Sequence, residues 1–239
     1  VACYALQERW FRQDVSAFAE VKPFWRAPKA LPEGCAPLID AMLKSGELTA
    51  KDVRDRFRLL VQANLLMEAK RVAERLSAEY AHFARQIDTI AKAPARFLEK
   101  SVVDMKTAAG RESTIFALTR LAQNDLHSAV RHWSGELRER LPVEDQQYVW
   151  AMLAIHGSRG SLPEALDWFR QAGETPLSDE QLAWRTRSAL RQENWPEVKI
   201  AIERMSPSAR SESTWTYWLG RSLRALGAEE DGKALFGRI

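Results

Sequence analysis

Apolar side chains recur along the chain three and four residues apart, the spacing of one helix face, and no alternating β-branched run is long enough for a strand. The pattern is clearest after Thr49, where a Thr-x-x-Asp start (Thr49, Asp52) precedes Phe57, Leu60, Val61, Leu65 and Leu66. It predicts helices near 52–63, 66–77, 79–92 and 95–108. Residues 22–37 hold four prolines and Gly34, which predicts a loop. The fold class is all-α.

The second half of the chain repeats itself. Phe116, Trp150, Trp184 and Trp218 follow one another at intervals of 34 residues. A second series, Phe169, Ile202 and Leu235, is spaced by 33, and Trp133 precedes Phe169 by 36. Both series are expected to form the core of a structural repeat. Ser161-Leu162-Pro163-Glu164 and Asn194-Trp195-Pro196-Glu197 share a capping residue, a first-turn proline and a Glu three after the cap, so both are expected to open the second helix of a unit. Gly227, followed by Ala228, Glu229 and Glu230, holds the next equivalent place; Ser178 with Gln181, and residues 211–213, announce the first helices. A helix pair cannot bury its apolar stripe alone, so the units should stack into a right-handed-type superhelix of antiparallel pairs, like a tetratricopeptide array. Residues 1–110 are read as a less regular helical part and 111–239 as the regular repeats.

Charge and composition narrow the partners. The net charge of +3 is spread along the chain without the concentrated basic block of a nucleic-acid binder, so no nucleic-acid partner is expected. The longest apolar stretches, 59–67 and 149–155, are too short for a membrane span. Val1 without an initiator Met suggests an internal or processed start, and Ile239 falls in the middle of a repeat's second helix, as in a fragment.

Candidate chemistry is sparse. His82, His127, His132 and His156 form no ligand pair, since His127 and His132 are five apart rather than the four that align two ligands on a helix, and no metal or cofactor is expected. Nucleotide-binding glycine patterns and a G-x-S-x-G elbow are missing from the sequence. Cys3 and Cys35 flank the Pro-rich segment; they either clip it to the first helix or stay as two buried thiols, and the redox compartment rather than the spacing decides. Trp150, Trp184 and Trp218 are expected in the core, whereas Trp10, Trp25, Trp195 and Trp215 are freer to face a ligand, although half-buried packing is the favoured role even for these four. Arg185, Arg187, Arg191 and Arg221 form either a solvated face or a surface for an anionic polymer.

Three runs are more specific: Ala189-Leu190-Arg191-Gln192-Glu193-Asn194-Trp195-Pro196-Glu197-Val198, then Ile202-Glu203-Arg204-Met205-Ser206-Pro207, then Thr214-Trp215-Thr216-Tyr217-Trp218-Leu219-Gly220-Arg221-Ser222-Leu223. Together they resemble the superhelical region of soluble lytic murein transglycosylases, and the 34-residue units and early cysteine pair are similar to that family's too. The resemblance implies a periplasmic bacterial enzyme that cleaves the β-1,4 bond between N-acetylmuramic acid and N-acetylglucosamine and closes a 1,6-anhydro ring. It implies partners too: peptidoglycan through the full-length enzyme, and other cell-wall proteins. In the family one glutamate, followed by Ser and later by Gly-Leu-Met-Gln, does the acid and base work from a separate C-terminal domain. Glu112-Ser113 and Glu212-Ser213 imitate the start of that motif without the rest, so no catalytic residue is expected here. The expectation is a non-catalytic helical scaffold, truncated before the linker and catalytic domains. The alternative is a free-standing tetratricopeptide-like adaptor for a protein or peptide.

Overall fold

A computed structural model describes residues 2–237. Val1 and Ile239, on which the expectations about the chain ends rest, lie outside the described residues. Every regular element among the described residues is helical. In chain order the α-helices are α1 (Ala2–Phe11), α2 (Ala17–Arg26), α3 (Ala36–Ser45), α4 (Ala50–Gln62), α5 (Leu66–Ala73), α6 (Ala78–Lys92), α7 (Pro94–Lys100) and α8 (Ala108–Asn124). There follow α9 (Leu126–His132), α10 (Val143–Arg159), α11 (Ala165–Gln171), α12 (Asp179–Arg191), α13 (Trp195–Glu203), α14 (Pro207–Arg210), α15 (Ser213–Ala225) and α16 (Glu229–Phe236). They fall into two compact units: residues 1–93 with 106–116, and residues 94–105 with 117–239.

Local chemistry sets the helix starts. The Thr49 hydroxyl accepts from the Asp52 N–H (3.3 Å) while the Asp52 carboxylate accepts from the Thr49 N–H (2.9 Å), a reciprocal cap on α4. Ser178 and Gln181 make the same box on α12. Asn194 caps α13 through the Glu197 N–H, and Asp125 caps α9 through the Ser128 N–H.

The helix ends share one device. After α1, α4, α10, α12 and α15 the chain turns through a residue of positive φ: Gln13, Asn64, Ser161, Glu193 and Gly227. At each turn the next residue's N–H reaches back to a carbonyl five positions earlier: Asp14 to Arg9, Leu65 to Leu60, Leu162 to Gly157, Asn194 to Ala189 and Ala228 to Leu223, all at 2.8–3.0 Å. These are Schellman turns, which satisfy the last carbonyls of a helix and reverse the chain into its partner. Ser161 therefore ends α10 rather than capping the helix after it, which starts only at Ala165.

Two sequence expectations need correction. Residues 22–26 belong to α2 despite Pro23, and Ala36 and Pro37 open α3, where a proline's missing N–H is not needed. The end of α2 is held by Arg56, which is buried and donates to the carbonyls of Phe24, Trp25, Ala27 and Lys29. Its guanidinium also lies 4.8 Å from the Trp25 ring centre, and burial pushes its pKa below the usual arginine value. The helix predicted over 95–108 stops at Lys100; Val102 just beyond it is fully exposed and offers no apolar face to bury.

In the first unit Phe57, Phe83 and Phe116 pack as a buried triad, with ring centres 5.4–6.3 Å apart. In the second, α10 pairs with α11, α12 with α13, and α15 with α16, with α14 a short turn between the last two pairs. Buried Leu166, Leu182, Val198, Ile202, Met205 and Trp215 form one continuous cluster across these pairs.

Candidate functional site

Glu112 is the first residue to place, because it heads the Glu-Ser pair. It lies on α8 with 1% exposure, and Arg58 of α4, at 7%, grips it in a fork. The Arg58 Nε donates to Oε1 (2.9 Å) and Oε2 (3.1 Å), and its Nη2 donates to Oε2 (2.7 Å). Ser113 Oγ donates to the Gly110 carbonyl (2.8 Å). Both oxygens of this water-excluded carboxylate are occupied by one guanidinium, which leaves neither free to meet a glycosidic oxygen. Glu112 is thus a clasp within the first unit. Glu212 sits exposed at the start of α15.

The cysteines are joined: Cys3 and Cys35 form a buried disulfide, with Cα atoms 5.0 Å apart, linking α1 to the turn before α3. Among the described residues no group of three or more His, Cys, Asp or Glu side chains is arranged to hold a metal. His156, on α10, is mostly enclosed; burial first, and Arg159 second, lower its pKa to about 4.

The residues of the two repeat series are not all equivalent. Phe116 belongs to the first unit, apart from the tryptophans. Trp184 and Trp218 each stand nine residues before a Schellman residue, whereas Trp150 stands eleven before Ser161. Trp150, Trp184 and Trp218 are half-buried, Trp150 lying 5.8 Å from the ring of Trp133 and 6.4 Å from that of Trp168. Phe169 and Ile202 are fully enclosed, and Leu235 is half-buried. Trp25 and Trp215, for which the sequence favoured packing over a ligand, are buried, each under an arginine.

Trp215 belongs to a surface of the second unit where guanidinium groups lie over tryptophan rings. Trp184, Arg187 and Arg191 lie three and four residues apart along one stripe of α12. The exposed Arg187 guanidinium stacks 4.8 Å from the Trp184 ring centre and 5.5 Å from that of Trp215 on α15. Arg159 approaches the Trp184 ring at 6.0 Å and pairs with Glu180 (2.9 Å). Trp218 and Arg221 repeat the Trp184–Arg187 spacing on α15. By contrast Arg185 points inward, where it pairs with Glu197 of α13 at 2.8 Å. The sequence marked these arginines as a group, but only the fold separates the buried one from the exposed ones.

No protein-family model matches the chain. It is 21% identical, over 95% of its length, to the soluble lytic murein transglycosylase of Escherichia coli K12, and equally to that of E. coli O157:H7. The chain spans about a third of these relatives, 36% of their length. Among solved structures, it superposes over 99% of its length on an inactive mutant of the lytic transglycosylase Slt from Pseudomonas aeruginosa, with TM-score 0.62 and 23% identity. It also superposes on the 70 kDa soluble lytic transglycosylase of E. coli, with TM-score 0.50 and 21% identity, and covers 39% of each structure. These likenesses show the all-helical fold, and the sequence similarity to soluble lytic transglycosylases extends well beyond the runs between residues 189 and 223.

Proposed function

We propose that this chain is the helical scaffold of a periplasmic soluble lytic transglycosylase, an enzyme that cleaves peptidoglycan to 1,6-anhydro-muropeptides, and that the chain itself performs no catalysis. The observation that carries the reading is the similarity to murein transglycosylases over 95% of the chain. The fate of Glu112 supports the non-catalytic part: the carboxylate that most resembles the family's acid is committed to Arg58. The Cys3–Cys35 disulfide supports an oxidising compartment such as the periplasm, since such bonds are rare in reducing cytosol. Among the described residues no helix is long and apolar enough to cross a membrane. A stack of helix pairs would also suit a peptide-binding adaptor, but that reading leaves the end-to-end similarity without a cause.

In this reading the bond-breaking glutamate lies in polypeptide outside this chain, and the helices described here position it against its strand. Digestion of purified sacculi by this chain alone is the test. The expected result is no 1,6-anhydro-muropeptide by mass spectrometry, and release of such products would overturn the non-catalytic assignment.

A further inference from the structure

The arginines of the paired helices α10–α13, α15 and α16 and their caps divide into two classes; outside those helices Arg131 and Arg210 also donate to uncharged oxygens. Arg159, Arg170, Arg204 and Arg224 each pair with a carboxylate. Arg187, Arg191 and Arg221 do not: among the described residues Arg191 donates only to Ser158 and Ser188, Arg221 only to the Tyr217 hydroxyl, and Arg187 only stacks on rings. All three are exposed and lie on one stripe of α12 and its counterpart on α15. A guanidinium lying over an indole keeps its in-plane N–H donors clear of the ring, and the ring supports it partly out of water. Such a group is preorganised for a planar oxyanion, because the side-chain ordering that binding requires is already in place.

We propose that this face, built on Trp184, Arg187, Arg191, Trp215 and Arg221, binds the carboxylates of a peptidoglycan strand. The inference rests on the cell-wall reading above and names the part of the chain that would hold the polymer. Spacing favours this ligand over nucleic acid. Arg187 and Arg221 occupy equivalent positions in successive helix pairs, and packed helices lie about 8–10 Å apart. Phosphates of each strand recur about every 3.4 Å along a duplex axis and call for a denser basic track. Carboxylates carried by peptides on alternate sugars recur far less often, which suits Arg187 and Arg221, one at the equivalent position of each helix pair, with Arg191 one turn further along α12.

Co-sedimentation with purified sacculi tests the proposal, using the chain as it is and the double variant Arg187→Gln/Arg221→Gln. Arg12→Gln is the control, since Arg12 is exposed but lies in the other unit and is paired with Glu8. The double variant should bind roughly tenfold more weakly, the control should bind as the parent does, and the parent's binding should weaken as salt rises. Arg187→Lys/Arg221→Lys should recover part of the loss. Sacculi whose carboxylates have been amidated should not be bound. Thermal melts followed by circular dichroism establish that each variant is folded. The proposal is overturned by an absence of parent binding, by equal binding of the double variant and the control, or by binding that survives amidation. Tighter binding to a single-stranded oligonucleotide than to sacculi would also overturn it, and would give the face to nucleic acid. None of these outcomes touches the scaffold reading, which turns on muropeptide products; release of anhydro-muropeptides by the chain alone would sink that reading and leave the binding face standing.

Discussion

Glu112 and Arg58 are 54 positions apart, and nothing in either one's neighbourhood along the chain marks them as a pair. The sequence singled out Glu112 for its resemblance to a catalytic motif; only the packing of α8 against α4 reveals its structural work. Removing one partner strands a buried charge, so Glu112→Gln should destabilise the protein by about 3–5 kcal/mol in urea unfolding. Replacing both with apolar residues, Arg58→Met with Glu112→Leu, should recover most of that loss, because no unpaired charge remains. His156 supplies a pH signature. Its folded pKa, about 4, lies below the ordinary 6.5, so its contribution is whole above pH 6.5 and is lost as pH falls toward 4. The lost stability amounts to roughly 3 kcal/mol at most. NMR titration should find the ring neutral down to about pH 4, and His156→Gln should flatten stability across that window. Glu193 holds φ of 52° at an exposed turn, a conformation glycine adopts without strain. Glu193→Gly should therefore raise stability by roughly 0.5–1 kcal/mol, read as an increase in Tm.

At the scale of the element, the sequence was most legible where side chains act on their immediate neighbours. The capping boxes at Thr49 and Ser178 and the cap at Asn194 could be read directly, because each needs only residues three apart. Repeat register was harder. The 34-residue interval joins Trp150 to Trp184, yet the turns that close α10 and α12 lie only 32 residues apart, at Ser161 and Glu193, so the two rings occupy different positions in their helix pairs. Aromatic spacing drifts whenever a helix or loop changes length, whereas the positive-φ residue marks the same point in every pair, and four of the five such residues are not glycine, which hid them. The α2 end was illegible for another reason: Arg56, which satisfies its carbonyls, comes from a helix about 30 residues later. Close approach of α15 and α16 gives the sharpest test at this scale. A Cβ on Gly232 would stand 2.7 Å from the Gly220 carbonyl oxygen, and backbone cannot step aside as a side chain can. Gly232→Ala should destabilise by about 1–3 kcal/mol in thermal unfolding, although alanine is the better helix former.

For the molecule as a whole, the all-α class and the pairing of helices followed from periodicity and caps, while the exchange of residues 94–105 and 106–116 between the two compact units depends on contacts between residues far apart in sequence. The binding face was half legible: the arginines stood out as a group, but which of them lacks an acid, and which rings lie beneath them, required side-chain positions. The central claim is that these helices serve an enzyme whose chemistry is housed elsewhere in the same polypeptide. Mass spectrometry of the products released from sacculi tests it most directly, comparing the full-length polypeptide that contains this chain with the chain by itself. The full-length polypeptide should release 1,6-anhydro-muropeptides and the chain none; anhydro products from the chain, or from neither, would refute the proposed division of labour.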